Sequence, residues 1–241
     1  MTTLFISDLH LEAERPGIGE QFRSFLQREA TEAEALYILG DLFESWIGDD
    51  DPNPYYAAMK RAIRGIADLD VPVFFMHGNR DFLIGDRFAD ETGVEVLPDP
   101  CKVNLYGQDV LLSHGDALCI DDLKYQEVRS ITRSPAWQSM MLQKPLADRQ
   151  AIARQARADS MAHGASIDLD ISDVNQGAVE QLMKKHEVLT LLHGHTHRPA
   201  VHRFLLDGLP ATRIVLGDWY EQGSVVRWDA NGPELSVLER M

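Results

Sequence analysis

Cysteine is scarce in this 241-residue chain, which has only Cys101 and Cys119. Two thiols that far apart match none of the close spacings of structural zinc sites and cannot build a disulfide framework. Reduced thiols in a reducing compartment are expected. Long apolar runs are missing as well. No stretch approaches the roughly 20 residues that a membrane helix needs. No basic start with an apolar core precedes Asp8 in the manner of a secretory signal, so a cytoplasmic location is expected. Positive charge is in deficit: 23 Lys and Arg against 38 Asp and Glu leave a formal charge of −15. That excludes a general nucleic-acid binder, which needs basic surface to displace counterions.

The deficit is uneven. Between Lys124 and Arg157, seven basic residues (Lys124, Arg129, Arg133, Lys144, Arg149, Arg154, Arg157) face two acidic ones, Glu127 and Asp148. This basic island admits two readings, a local anionic partner or a solvated helical face. The stretch from about 121 to 164 reads as helical, broken at Pro135 and Pro145. Trp137, Met140 and Met141 give it an apolar face that suits core packing or a greasy ligand wall. Length and composition suit a single domain over 1–241, carrying this stretch as an insertion.

Around the insertion, short apolar runs alternate with amphipathic stretches, an α/β pattern. Thr2–Ser7, Ala35–Leu39, Val71–Met76, Asp109–Ser113 (paired with Cys101–Tyr106 around Gly107) and Val188–Leu192 read as strands. Ala200–Leu206, Thr212–Leu216 and Ser224–Trp228 read likewise. Glu20–Ala30, Pro54–Leu69, Phe82–Thr92 and Gln176–Lys185 read as helices.

What ends those strands carries the chemistry. The ends are Asp8-Leu9-His10, Gly40-Asp41, Gly78-Asn79-Arg80-Asp81, His114-Gly115-Asp116 and Gly194-His195-Thr196-His197. In extended chain, positions i and i+2 point to one side, pairing Asp8 with His10 and His195 with His197. In open α/β architectures such ends converge on one edge. Asp8, Asp41, His10, His114, His195, His197 and Asn79 are too many donors for one tetrahedral ion. They suit two divalent ions about 3.5–4 Å apart that share a carboxylate. Asp41, alone on its strand end, is the expected bridge. Mixed nitrogen and oxygen ligation without thiolate favours Mn, Fe, Co or Zn over Ca. The acidic loop end at Asp49-Asp50 reads as solvated loop or helix-start chemistry, and Gly217-Asp218 as a turn.

The order DLH, GD, GNxD, HGD, GHTH resembles the calcineurin-like metallophosphoesterases. The resemblance implies an α/β fold of α+β layered character, a two-sheet sandwich flanked by helices, around a dinuclear site. It assigns Asp8, His10, Asp41 and His197 to one metal, and Asp41, Asn79, His114 and His195 to the other. FISDLHLE, YILGDLFESWIGDD, MHGNRDFLIG, LLSHGD and LLHGHTHRPA resemble the branch acting on UDP-2,3-diacylglucosamine in lipid A synthesis. By that resemblance the insertion is a lid over acyl chains, and Asn79, Arg80, Asp122, Ser160 and His195 contact substrate. Asn79, Arg80 and His195 are then the catalytic set. Where the branch places an amide and a lysine against substrate, this chain has Gly164 and Ile167, so those contacts are not carried over.

One departure has a physical reading. Many members of the wider family have histidine where this chain has Arg80, and such a histidine can protonate an alkoxide leaving group. Arginine stays protonated and is a poor acid, but its planar fork can clamp phosphate oxygens. A clamp without an acid suits a phosphate leaving group, hence pyrophosphate cleavage. The competing reading makes Arg80 a surface partner of Asp81. The expected activity is hydrolysis of UDP-2,3-diacylglucosamine to UMP and 2,3-diacylglucosamine 1-phosphate (lipid X). It would need two divalent ions, Mn2+ foremost, and act at the cytoplasmic face of the inner membrane as a peripheral protein. The alternatives are a metallophosphoesterase for soluble nucleotides or phosphoproteins, or a non-catalytic scaffold. A scaffold would be expected to lose ligands, and none of the seven is missing.

Overall fold

In the computed structural model, which describes residues 2–164 and 173–239, the first strand is buried on both faces. β1 (Thr3–Ile6) sends Leu4 and Ile6 into one apolar cluster and Phe5 into another. β2 (Ala35–Ile38) divides in the same way, Leu36 and Ile38 on one side and Ala35 and Tyr37 on the other. Strands buried on both faces read as unbroken apolar runs rather than as alternation, which is why the sequence displays them. β1, β2, β3 (Val73–Met76) and β4 (Glu95–Leu97) pair in parallel. β10 (Gly223–Asp229) and β11 (Gly232–Leu238) continue that sheet antiparallel beyond β1.

A second sheet has the order β5-β6-β7-β9-β8, from β5 (Cys101–Leu105), β6 (Gln108–Ser113), β7 (Thr190–His193), β8 (Ala200–Leu206) and β9 (Leu209–Val215). Phe5, Tyr37, Leu112, Leu192, Val226 and Trp228 fill the space between the two sheets. On the outer face of the first sheet lie α1 (Pro16–Arg28), α2 (Pro54–Ala67) and α3 (Asp86–Thr92), contributing Phe22, Phe25, Met59, Ile63 and Phe88. On the outer face of the second, α7 (Gln176–His186) packs Val179 and Met183 against Leu111 and Leu191. The result is the expected two-sheet sandwich flanked by helices.

The differences have simple causes. α1 starts at Pro16, whose fixed φ suits a first helical turn, rather than at Glu20. α3 starts only at Asp86, because Ile84 N–H closes a turn onto the Asp81 carbonyl. β4 and β11 carry no strand signal in the sequence. Both are edge strands with little buried apolar surface, so neither carries a clear pattern.

The insertion is helical and broken where its prolines predict, into α4 (Leu123–Thr132), α5 (Pro135–Leu142) and α6 (Leu146–Gly164). Its apolar face splits between the two readings. Met141 is buried in the helix-side core and Trp137 packs against Phe82, while Met140 stays half exposed. The basic island is neither a plain solvated face nor simply open to an anion. Arg129 and Arg133 pair with Asp116, Arg149 with Asp50 and Arg157 with Glu44. Four of its seven cations thus bolt the insertion to the acidic remainder of the chain. Ile167 lies outside the described residues. Among those that are described, no helix is long and apolar enough to cross a membrane.

Arg149 is the most buried of these bolts, donating also to the carbonyls of Ile47 (2.7 Å) and Lys144 (3.0 Å). Replacing it with Met strands those acceptors at about 1–3 kcal/mol. In Arg149→Met, hydrogen exchange should speed up across α5 and α6 and stay slow in β1 to β3. A uniform change across the chain would contradict this local role.

Candidate metal centre

The loops leaving β1 and β2 run side by side: Asp8 N–H donates to the Gly40 carbonyl and His10 N–H to the Asp41 carbonyl. Asp8, His10, Asp41, His195 and His197 all have positive φ, between 52° and 70°. These residues are therefore not extended chain, and the i, i+2 reasoning applied to them fails. Non-glycine residues in this region carry strain of the kind that clusters at functional sites. The outcome differs most for the last pair. His197 joins Asp8 and His10, whereas His195 joins Asp41 and His114.

Close approach of the loops depends on two glycines. A Cβ on Gly78 would stand 2.1 Å from Asp41 Oδ1, and one on Gly194 would stand 2.3 Å from Asp8 Oδ2. Asp81 ties the loops together. Its buried carboxylate accepts from the amides of Leu42 (2.7 Å) and Gly78 (2.8 Å). Burial and the nearby Asp41 push its pKa up to about 7. Asp81 is thus occupied with backbone, and the alternative pairing of Arg80 with Asp81 does not occur.

Two groups of three residues each bring one ligand-type atom within 4.8 Å of the others: Asp8, His10 and His197, and Asp41, His114 and His195. In the first, His10 Nε2 and His197 Nε2 stand 3.1 Å apart, and Asp8 Oδ1 lies 3.4 Å from the latter. In the second, Asn79 Oδ1 sits 2.8 Å from His195 Nδ1 and 3.0 Å from His114 Nε2. Asp41 faces both groups, with Oδ2 3.9 Å from His10 Nε2 and Oδ1 3.7 Å from His114 Nε2. All seven ligand candidates read from the sequence therefore meet at one edge.

The residues fit a pair of divalent ions. Asp8 Oδ1 is buried and receives no hydrogen bond of good geometry. The donors are imidazole, carboxylate and amide, which suit first-row divalent metals. The far nitrogens of three histidines are held by acceptors, as metal ligands require. His114 Nδ1 is 2.9 Å from the Leu39 carbonyl, His10 Nδ1 is 3.1 Å from Glu44, and His197 Nδ1 is 3.3 Å from Asp218.

Charge follows the same layout. Burial opposes a proton on His197, but Asp218 and Asp8 outweigh it and raise the pKa to about 10. At His114 burial is outweighed by Asp41, Asp116 and Asp8, giving about 9. His195 is lowered to about 4 by burial and then by the like charge of His114. The chain thus builds an anionic cluster that wants cations, and a divalent ion displaces such protons.

Glu44, Asp116, Tyr125 and Asp218 have functional positions that were not read from the sequence. Asp218 belongs to a Gly-Asp pair like Gly40-Asp41, and rather than forming only a turn it places a carboxylate against His197. Asp49 does the expected helix-start work, but for α3, accepting from the amides of Gly85 and Phe88. Asp116 is fully buried and gathers Tyr125 Oη (2.8 Å) and Arg129 Nε (2.9 Å) from α4 and Arg133 Nη2 (3.4 Å) from its C-cap. Arg133 also donates to the carbonyl of Gly78 (2.9 Å), next to Asn79, and the Tyr125 ring lies 5.7 Å from that of His195. Of the substrate positions implied by resemblance, Ser160 Oγ lies 3.4 Å from Arg80 Nη2. Asp122 caps α4 at the Tyr125 amide and meets His163 Nε2 at 3.0 Å.

Asp218→Ala removes the acceptor that holds His197. Metal affinity at the Asp8 group should fall about 10- to 100-fold, read by competitive chelator titration, while the Asp41 group keeps its ion. Unchanged affinity would exclude Asp218 as an orienting residue.

Comparison with known proteins agrees with this geometry. Curated relatives named UDP-2,3-diacylglucosamine hydrolase include one from Stenotrophomonas maltophilia (strain R551-3), 51% identical over 247 residues and covering 100% of both chains. Another, from Escherichia coli O7:K1 (strain IAI39 / ExPEC), is 53% identical over 235 residues, covering 98% of each. A third, from Xanthomonas axonopodis pv. citri (strain 306), is 51% identical over 245 residues, covering 99% of each. The profile described as calcineurin-like phosphoesterase matches residues 1–199, the span that contains every one of the seven ligand-type side chains. By that match, this chain belongs to the calcineurin-like phosphoesterase family.

Proposed function

We propose that the protein is a two-metal hydrolase that cleaves the pyrophosphate of UDP-2,3-diacylglucosamine, releasing UMP and 2,3-diacylglucosamine 1-phosphate. The observation that carries this reading is a pair of ligand-type groups, both faced by Asp41, in a chain full-length similar to relatives named for that substrate. Asp8, His10, Asp41 and His197 would hold one ion, and Asp41, Asn79, His114 and His195 the other. Mn2+ is our choice among the metals this donor set suits. When bound, the ions polarise the attacked phosphoryl group and supply the nucleophile from water at neutral pH.

The chain's own contribution is positioning. Asp41 is held by the Arg80 amide, which donates to its Oδ1 at 2.8 Å. The side-chain Nε of Arg80 is buried without an acceptor, leaving the guanidinium a donor to spare. In this reading Arg80 clamps phosphate oxygens, Asn79 and His195 face the reacting group, and Ser160 and Asp122 border it. The helical insertion is a lid. Leu123, Val128, Ile131, Met140 and Met161 leave apolar surface exposed along it, which suits acyl chains and peripheral contact with the cytoplasmic side of the inner membrane. No observation favours a soluble phosphatase or a scaffold.

Incubation with UDP-2,3-diacylglucosamine should yield UMP and the lipid 1-phosphate by mass spectrometry. Losing one preorganised donor at a developing charge costs about 100- to 1000-fold, so Arg80→Ala should fall by that much with metal content unchanged. Arg80→Lys should keep part of the activity. Arg80→His should rescue none, and a histidine variant equal to the wild type would end the clamp argument.

Metal content provides a separate test. The purified chain supplied with Mn2+ should approach two ions per chain by elemental analysis, and Asp41→Ala should lower occupancy of both. A single ion indifferent to that substitution would rule out the bridge.

A further inference from the structure

Thr196 lies between two metal-group histidines, and its side chain helps line a cavity of about 230 Å³ with Asp173, Arg198, Pro199, His202 and Arg213. None of these residues takes part in either group of ligands. Arg213, on β9, is 7% exposed, and its buried Nε has no acceptor. Its Nη1 lies 3.3 Å from His193 Nε2, and His193 Nδ1 lies 2.8 Å from the Gly194 carbonyl. A ring that donates through Nδ1 offers only a lone pair at Nε2, so His193 accepts from Arg213 without neutralising it.

Among the described residues, no carboxylate pairs with Arg213. Asp173 lies near enough for its charge to act on Arg213, but it is engaged with Arg198 at 3.1 Å. A buried cation without a direct ion-pair partner is costly, and proteins usually supply one. Thr196 Oγ1 is likewise buried without a partner at the same cavity. Two residues that carry an unmatched guanidinium nitrogen and an unmatched hydroxyl therefore line one space, which is ample for a polyatomic ion together with water.

We propose that this cavity is an oxyanion site, separate from the metal centre, that takes a phosphate group as free orthophosphate or as a phosphomonoester. Arg213 supplies the charge and the planar fork that suits phosphate oxygens, Thr196 donates its hydroxyl, and Arg198 stands at the wall. Occupancy would brace the loop carrying His195 and His197 from behind, through Arg213, His193 and the Gly194 carbonyl. The site does not rest on the proposed substrate, and its test reads binding rather than turnover.

Equilibrium dialysis of the metal-loaded full chain against labelled orthophosphate tests it. Wild type should hold a phosphate population that Arg213→Met lacks, and the near-isosteric Thr196→Val should weaken that population roughly tenfold. Arg80→Ala should retain it, since phosphate at the metals is a different population. If Arg213→Met does not fold, Thr196→Val decides alone. Competition with unlabelled UMP separates the sources: displacement of the Arg213-dependent label identifies a phosphomonoester, and its persistence identifies free orthophosphate. A wild-type isotherm in both variants would overturn the site.

Discussion

The strand-end edge depends on how closely two loops can approach. Asp41 can face two imidazole groups only because the Gly78 backbone passes where no side chain would fit, and because Asp81 draws the amides of both loops onto one buried carboxylate. Loosening that contact separates the two ligand groups, whatever else stays folded. The core fixes the strands, but this polar seam beneath them fixes the distances between ligands.

Much of the fold was legible because its central strands are buried on both faces. Runs such as Ala35–Leu39 and the one ending at Leu192 show plainly in the sequence. The edge strands β4 and β11 were not legible, since half-exposed strands need no regular pattern. All seven candidate ligands were legible as residues, because each follows an apolar run. Their grouping from local spacing was not. The extended-chain argument paired His195 with His197, and the left-handed backbone sends them to different groups. The supporting acceptors were harder still. Nothing near Glu44 announces that it meets His10, because the partners are joined only by the fold.

The basic island shows how composition can mislead about a partner. Its charges suggested an external anion or a solvated face, yet most of the arginines are spent on Asp116, Asp50 and Glu44. Ion pairs between an insertion and its host domain look in sequence like a charge asymmetry awaiting a ligand. The unmatched cation of interest, Arg213, stands alone in β9 where no cluster draws the eye.

Arg133 reaches from the C-cap of α4 to the Gly78 carbonyl while sharing Asp116 with Arg129 and Tyr125. The insertion is consequently not a module that can be excised or grafted. Cutting it out would remove donors from a buried carboxylate two residues away from His114 and from the peptide that carries Asn79. A shortened descendant of this chain would have to rebuild its catalytic edge before it could exploit a more open entrance.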